Sequence, residues 1–320
     1  MSIKNKAFSY EPNYSINSAS QVETAEELKV FEGKMGKGVV NRWTYKPFRL
    51  LGRFLTPKPD ITGVTIIDEK DVGRGMLIVQ PKKQEIGGAL FIIHGGGYVV
   101  GNYKDVLVYA CETARELGVP VVSPGYALGP EEPFPAGLNE IHEAWHWLQK
   151  ESNLLNIDPT KIVIGGISAG GGMAAAIVQR LHDEGGIQPS GQLLIYPMLD
   201  DRVATKKDLD KPPHKVWNNK NNRFGWTSYL GHEPGEDVKP YSSPGRRANL
   251  QGLPSAWIGV GTADLFLDEN RDYAKRLEDS GVKVTYVEVD GAIHAFEGAE
   301  TEMGIDFDKA KLDFLKNHIL

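Results

Sequence analysis

The feature that most constrains the fold is a regular alternation of short apolar runs with longer helical patterns. The predicted strands are residues 64–68, 76–80, 89–93, 119–123, 161–165, 192–196, 256–260 and 282–289. The predicted helices are residues 105–117, 136–151, 169–183, 268–280 and 305–317. Runs such as ALFII and IVI are apolar throughout, which is typical of strands covered on both faces. The alternation predicts an α/β fold with a mostly parallel central sheet flanked by helices, and the first two strands are close enough to form an antiparallel edge.

Two segments fall outside this alternation. Residues 1–60 precede the first predicted strand and have a helical pattern that is polar at first. Residues 200–254 interrupt the alternation with a polar stretch that is rich in Pro and Asn. This second segment is too long for an ordinary connection, and insertions of this kind often form lids or binding loops.

Composition argues against several classes of function. The 320 residues include 36 Lys and Arg against 42 Asp and Glu, and the net charge of -6 argues against nucleic acid as a partner. The one cysteine, Cys111, excludes an internal disulfide and a four-cysteine zinc site, and a single thiol fits a reducing compartment. The N-terminus has no apolar signal region, and no stretch reaches the roughly 20 apolar residues of a membrane span. We therefore predict a cytoplasmic protein without stable membrane insertion.

Ser168 stands in a glycine cluster that follows a buried strand. The stretch KIVIGGISAGGG at 161–172 contains GISAG at 166–170, which matches the pattern G-x-S-x-G of a nucleophile elbow. The pattern alone is weak, because a serine among glycines can also belong to an ordinary turn that caps the next helix. Its position before the helical run MAAAIVQRL is stronger support, since a helix N-terminus presents free N–H groups to a reacting oxygen.

Three glycines directly follow another buried strand. His94 is succeeded by Gly95, Gly96 and Gly97, immediately after the strand ALFII. A glycine turn lets backbone N–H groups point into a cavity without obstruction from Cβ atoms, which suits the stabilisation of an oxyanion. A loop that only needs positive φ angles is the other interpretation. The position at the carboxyl edge of a predicted sheet favours the oxyanion site.

Asp264 and His294 also follow predicted parallel strands. Asp264 lies in GTADLFLDE after the strand AWIGV, and His294 lies in GAIHAF after the strand VTYVEV. Serine, acid and histidine thus occur in the chain order that the α/β-hydrolase fold uses. We therefore predict a catalytic triad of Ser168, Asp264 and His294.

Together these motifs resemble the hormone-sensitive-lipase-like family of bacterial esterases. The resemblance rests on HGGGY at 94–98, YALGPE at 126–131, PFPA at 133–136, DPTKI at 158–162, GGISAGG at 165–171, DLFLDE at 264–269 and HAF at 294–296. It runs from about the second strand to the C-terminal helix. The sequence departs from the family pattern at Ile167, where many members have Asp, and at Ala127, Gly129 and Leu265, but no catalytic group is lost.

The resemblance implies an α/β-hydrolase fold with a helical cap. The expected organisation is a cap segment at 1–60, a first part of the core at 61–199, a second cap segment at 200–254 and a second part of the core at 255–320. The implied activity is that of a serine carboxylesterase on short-acyl esters. Ser168 would attack the carbonyl, His294 would transfer the proton, and Asp264 would orient His294.

The resemblance also implies how substrate is held. The oxyanion would be bound by the backbone N–H groups of Gly95, Gly96, Gly97 and Ala169. No metal ion or organic cofactor is required. The expected partner is a small-molecule ester, enclosed by cap aromatics that include Trp43, Phe48, Trp217, Phe224 and Trp226. The resemblance is compatible with a homodimer, and the sequence does not set the oligomeric state or the natural substrate.

Other functions stay open on the sequence alone. The same machinery could serve an amidase, a lactonase or a carbamate hydrolase. A non-catalytic receptor of the same fold is a further alternative. The presence of His294 disfavours it, since the plant gibberellin receptors that resemble this family have lost the catalytic histidine.

Two further motifs point to different chemistry. HEAWH at 142–146 matches the H-E-x-x-H pattern of zinc peptidases. Apolar residues at 141, 144, 145 and 148 instead predict a helix that packs on the sheet, with the histidines at the border of the packed face. GGGMAA at 170–175 matches a dinucleotide fingerprint, but the acidic residue that would bind the ribose is missing about 20 positions further on.

Overall fold

The computed structural model describes residues 23–35, 40–55, 58–85, 87–211, 214–237 and 239–320. The described chain forms an eight-stranded sheet with the strand order β1-β2-β4-β3-β5-β6-β7-β8. The strands are β1 (Val64–Glu69), β2 (Met76–Pro81), β3 (Ala89–Ile93), β4 (Val121–Pro124), β5 (Ile162–Ile167), β6 (Gly191–Ile195), β7 (Ala256–Gly261) and β8 (Val284–Val289). The α-helices are α1 (Lys29–Met35), α2 (Tyr45–Leu55), α3 (Leu107–Leu117), α4 (Ala136–Lys150), α5 (Ala169–Glu184), α6 (Asn219–Leu230), α7 (Leu267–Asp279) and α8 (Glu302–Ile319).

The sheet has the mostly parallel arrangement that the sequence predicts. β2 is antiparallel to both of its neighbours, β1 and β4, and the remaining neighbouring pairs are parallel. The predicted fold class and its antiparallel edge are therefore confirmed. In this topology the carboxyl ends of β3, β5, β7 and β8 lie at the same edge of the sheet, where open α/β sheets bind their ligands.

The central strands are largely apolar because helices cover both faces of the sheet. Along β3, Leu90 and Ile92 belong to one buried cluster, whereas Phe91 and Ile93 belong to another. Successive side chains of a strand point to opposite faces, so the two clusters lie on opposite sides of the sheet. The outermost strands β1 and β8 keep exposed positions, as expected at sheet edges.

The helix α4 packs on the sheet as its apolar stripe predicts. Ile141, Ala144, Trp145 and Leu148 are all buried. The ring of Trp145 meets the ring of Phe91 on β3 edge to face, with 6.1 Å between the centroids. The stripe of this helix is therefore part of the core.

Element ends differ from the prediction where a terminal residue has a special role. β4 begins at Val121 rather than 119, because Pro120 has no N–H group to donate to a strand ladder. α8 begins at Glu302 rather than 305, because the Thr301 side chain accepts a hydrogen bond from the N–H of Gly304 and caps the helix.

The two added segments contain helices, and none of their described residues joins the sheet. The N-terminal segment contributes α1 and α2, and residues 1–22 of the predicted cap lie outside the described residues. Between β6 and β7, the residues that the structure describes form α6 and three short 3₁₀ helices, Asp201–Thr205, Lys207–Asp210 and Pro244–Arg246. The division into core and cap stays a prediction. Each helix of the described ranges is too short or too polar to cross a bilayer.

Candidate active site

Ser168 occupies a sharp turn between β5 and α5. β5 ends at Ile167, α5 begins at Ala169, and Ser168 itself has φ 57° and ψ -119°. Such an angle is uncommon for a residue with a side chain and persists only where the surrounding structure enforces it. A Cβ atom on Gly166 would lie 2.0 Å from the carbonyl oxygen of Gly170, so the turn requires glycine at that position.

His294 and Asp264 meet Ser168 at the carboxyl edge of the sheet. His294 Nε2 lies 3.0 Å from Ser168 Oγ, and His294 Nδ1 lies 2.7 Å from Asp264 Oδ2. All three residues are buried. An ionised carboxylate only accepts hydrogen bonds, so Nδ1 carries a proton and donates it to Asp264. In the neutral ring, Nε2 is then the acceptor that faces the Ser168 hydroxyl.

Two further contacts hold Asp264 and His294 in place. The second oxygen of Asp264, Oδ1, accepts a hydrogen bond of 3.0 Å from the N–H of Phe266. The imidazole of His294 is contacted by the rings of Tyr196 and Phe266, with centroid distances of 4.6 and 5.4 Å. Tyr196 in turn donates a hydrogen bond to Glu297 Oε1. The sequence reasoning missed Tyr196, and its position directly after β6, at the same sheet edge, is the signal that could have indicated it.

The glycine loop after β3 runs beside the Ser168 turn. A Cβ atom on Gly95 would lie 3.4 Å from the Cβ atom of Ser168. The backbone N–H groups of Gly95, Gly96, Gly97 and Ala169 have no hydrogen-bond acceptor among the residues that the structure describes. For Ala169 the reason is its place in the first turn of α5, where no preceding helical carbonyl is available.

His94 fixes the orientation of this loop. Its Nδ1–H donates to the carbonyl oxygen of Gly95 over 2.8 Å, and its ring stacks on Tyr126 with 4.2 Å between the centroids. Burial lowers the pKa of His94 to about 4, so the ring is neutral at pH 7. The peptide between Gly95 and Gly96 is planar, and with its C=O directed at His94 its N–H points to the opposite side. The sequence reasoning gave roles to the glycines of this motif and none to His94.

The segment between β6 and β7 covers the glycine loop. The six-membered ring of Trp217 lies so close to Gly97 that a Cβ atom there would be 2.0 Å from Trp217 Cη2. On α6, a Cβ atom at Gly225 would lie 2.5 Å from the Gly97 carbonyl oxygen. The loop therefore has this segment packed directly against it.

The predicted pocket aromatics do not form one group. Trp217 and Trp226 are buried, and Trp226 contacts the ring of Tyr98, with 5.1 Å between the centroids. Phe224 is partly buried, whereas Phe48 is exposed, contrary to the prediction that it helps to enclose a pocket. Trp43 is 74% exposed, and the guanidinium of Arg42 lies over its ring. The prediction that Trp43 helps to enclose a pocket therefore does not agree with its exposure in the described structure.

The other motifs lie away from Ser168 or lack space for a ligand. A Cβ atom on Gly172 would lie 2.1 Å from the Met198 carbonyl oxygen, so the glycines of the dinucleotide-like stretch are packed against backbone. Cys111 is buried in α3. His142 and His146 contact Glu184, which is the last residue of α5. Ser168 lies at the other end of this helix, directly before its first residue.

Comparisons with known proteins agree with this architecture. A family model described as the α/β hydrolase fold matches residues 90–298. An ethyl acetate hydrolase of Pseudomonas putida is 28% identical over 211 residues, which are 66% of this chain and 66% of that protein. A carboxylesterase of Mycobacterium tuberculosis, NlhH, is 32% identical over 210 residues, which are 63% of this chain and 64% of that protein. The match thus spans slightly less than two thirds of these relatives' own length.

Solved structures extend the likeness over most of the chain. A bacterial heroin esterase superposes with a TM-score of 0.84 at 28% identity, covering 92% of this chain and 98% of that one. An esterase of Pyrobaculum calidifontis superposes with a TM-score of 0.79 at 25% identity, covering 90% of this chain and 98% of that one. The similarity therefore includes segments on both sides of the family match.

Proposed function

Because the chain belongs to the hormone-sensitive-lipase-like family of α/β hydrolases, we propose that it is a carboxylic ester hydrolase with Ser168 as its nucleophile. The observation that carries the proposal is the buried hydrogen-bonded chain from Ser168 Oγ through His294 to Asp264, with distances of 3.0 and 2.7 Å. Relatives named as an ethyl acetate hydrolase and a carboxylesterase support the same reaction class.

In the first half of the reaction, Ser168 becomes acylated. Its Oγ attacks the ester carbonyl while its proton passes to His294 Nε2, and Asp264 stabilises the imidazolium that forms. The tetrahedral intermediate then collapses, and the proton on Nε2 is given to the departing alkoxide, which leaves as the alcohol. The acyl group remains as an ester on Ser168.

In the second half, water replaces the alcohol. His294 Nε2 takes a proton from the water, the hydroxide attacks the acyl carbonyl, and a second tetrahedral intermediate forms. Its collapse returns the proton to Ser168 Oγ and releases the carboxylic acid. Atoms and charge balance within the triad, so the proposal needs no metal ion or organic cofactor.

Backbone N–H groups would stabilise both tetrahedral intermediates. The strongest candidates are Ala169, at the start of α5, and Gly96, whose N–H points away from the His94 side of the loop. Gly95 and Gly97 are adjacent donors of the same turn. Removal of one donor of this kind typically costs about 2.7–4 kcal/mol of transition-state stabilisation.

Short-acyl esters are the substrate class that we propose. Trp217 and α6 pack directly on the glycine loop, so space beside the oxyanion site is limited. The ethyl acetate hydrolase among the relatives acts on an ester of this size by its name. The homodimer and the cytoplasmic location expected from the sequence stay predictions.

The proposal is tested by hydrolysis of a p-nitrophenyl ester series from acetate to dodecanoate, with and without EDTA. We expect turnover that is fastest for the short chains, insensitive to EDTA and lost in Ser168→Ala. Activity that survives Ser168→Ala, or that EDTA removes, would contradict the serine mechanism. Faster turnover of p-nitroacetanilide than of the matching acetate would show an amidase, and no turnover of any acyl substrate would favour a receptor.

A further inference from the structure

One cluster of metal-ligating side chains lies outside the active site in the described part of the chain. His142 and His146 stand four residues apart on α4, and Glu184 is the last residue of α5. His142 Nε2 lies 2.6 Å from Glu184 Oε2 and 3.1 Å from His146 Nε2. The ligand atoms of all three residues lie within 4.8 Å of one another.

Hydrogen bonds among these three side chains cannot satisfy all of their facing nitrogen and oxygen atoms well. An imidazole nitrogen has one in-plane position, which carries either a hydrogen or a lone pair. His142 Nε2 nevertheless faces two partners, a carboxylate oxygen that needs a donor and a second imidazole nitrogen. One hydrogen on His142 would have to be shared between both. A cation at the point where the three atoms converge would bind a lone pair from each.

The spacing is close to that of a metal site. Zinc binds histidine nitrogen and carboxylate oxygen at about 2.0–2.2 Å, which places the ligand atoms of a tetrahedral site about 3.3 Å apart. The nitrogen-to-nitrogen distance of 3.1 Å is near this value, and the nitrogen-to-oxygen distance of 2.6 Å is somewhat shorter.

The residues around the cluster orient its carboxylate. Arg180 Nε donates to Glu184 Oε1 over 2.8 Å, and Arg180 Nη1 donates to Asn139 Oδ1 over 2.8 Å. Glu184 therefore keeps its other oxygen, Oε2, directed at the histidines. Outer contacts that fix a ligand in this way are usual in metal sites. The charge of Arg180 opposes a cation, so the carboxylate and the two neutral rings must outweigh it.

We propose that His142, His146 and Glu184 bind a divalent transition-metal cation such as Zn²⁺, which links α4 to α5. His146 and Glu184 are exposed, which gives the ion a path of entry and leaves room for a water ligand. α5 has 16 residues, so Glu184 lies about 24 Å along the helix axis from Ser168, and the ion is too far away to take part in the chemistry at Ser168.

The experiment is a calorimetric titration of the metal-stripped full chain with Zn²⁺, repeated with Co²⁺ to record its visible absorption spectrum. We expect one ion per chain and a Co²⁺ spectrum typical of four-coordinate N,O ligation. His146→Ala and, separately, Glu184→Gln should each raise the dissociation constant at least tenfold. Zn²⁺ should raise the melting temperature of the wild type and leave that of either variant unchanged.

A matched control uses another histidine, partly exposed, that faces a glutamate four residues further along the chain. His232 Nδ1 lies 3.7 Å from Glu236 Oε2, and His232→Ala should bind Zn²⁺ as the wild type does. No binding by the wild type would overturn the proposal. So would undiminished binding by both His146→Ala and Glu184→Gln, or a loss in His232→Ala equal to theirs, because the ion would then be held elsewhere.

Discussion

Ser168 is reactive in this account because of how its neighbours hold it. Its φ of 57° is enforced by close backbone contacts that require glycine, and its hydroxyl faces a histidine ring fixed by Asp264, Tyr196 and Phe266. His94 does the same for the glycine loop through one hydrogen bond and one stacked ring. The position of the reacting groups thus depends in part on side chains that have no step of their own in the proposed reaction.

The hydrogen bond from His94 to Gly95 should affect turnover rather than binding. His94→Phe keeps a ring against Tyr126 but removes the Nδ1–H donor, so the Gly95 carbonyl loses its anchor. We expect kcat to fall about 10- to 100-fold with little change in KM, since loss of one oxyanion donor outright costs about 100- to 1000-fold. His94→Asn, whose amide can donate from nearly the same place, should recover much of the loss. Equal kcat values for the two variants would argue against the hydrogen bond as the cause.

Glu269 should make stability depend on pH. It is buried, its Oε1 accepts from the N–H of Leu199 over 2.8 Å, and its Oε2 has no partner within the described ranges. Burial, with the charge of Asp200, raises the pKa of Glu269 well above its usual range. The folded state then keeps a proton that the unfolded state releases above about pH 4.3, so this group's stabilisation is full below that pH and is lost as pH rises through the folded pKa.

Urea unfolding at pH 5 and pH 8 measures this effect. In Glu269→Gln the neutral amide carries no proton to lose, so the variant should gain stability relative to the wild type as pH rises. The release of one proton on unfolding changes the free energy of unfolding by at most about 1.4 kcal/mol per pH unit. If the free energies of unfolding of the two proteins change in parallel between pH 5 and pH 8, Glu269 is ionised in the folded state and the account of this residue is wrong.

Among the helices and strands, those whose position follows from burial could be predicted from the sequence. A helix that depends on contacts between distant residues could not. The eight strands are found at or near their predicted positions, and the inner strands are the most clearly marked because burial on both faces makes them largely apolar. The helix α6 was missed because its sequence, NKNNRFGWTSYL, is polar. Its buried asparagines find partners far along the chain: Asn219 Nδ2 donates to the Lys206 carbonyl, and Asn221 Oδ1 accepts from the N–H of Val40. No local pattern shows such partners.

The packing of α6 on the glycine loop can be tested by adding one methyl group to α6 at Gly225. Gly225→Ala would place a Cβ atom 2.5 Å from the Gly97 carbonyl oxygen, so helix or loop must shift. We expect kcat/KM for p-nitrophenyl acetate to fall at least tenfold and the protein to lose about 1–3 kcal/mol of stability, as is usual for overpacking.

Gly33→Ala on α1 is the matched control. Nothing lies within 4 Å of a Cβ atom there, so the variant should gain up to about 1 kcal/mol from helix propensity and keep its hydrolysis rate. A Gly225→Ala variant as active and as stable as Gly33→Ala would show that α6 does not constrain the loop.

At the scale of the whole molecule, topology brings together residues that are distant in sequence. Ser168 and His294 are 126 residues apart, and Asp264 and His294 are 30 apart, yet each follows a parallel strand that ends at one edge of the sheet. The sequence therefore predicted these three residues as one site, and the fold brings their side chains within hydrogen-bond distance of one another. It did not indicate the meeting of His142 with Glu184, 42 residues away, because that contact depends on how two helices lie side by side.

The proposal that Ser168 is the nucleophile is tested most directly by reaction of the protein with a p-nitrophenyl alkylphosphonate, followed by mass spectrometry of the digested chain. We expect one p-nitrophenol released per chain, one phosphonate adduct on the peptide that contains Ser168, and loss of ester hydrolysis in proportion to labelling. His294→Ala should label at least about a thousandfold more slowly, since it lacks the general base. An adduct on another residue, or full hydrolysis by chains labelled at Ser168, would show that Ser168 is not the nucleophile.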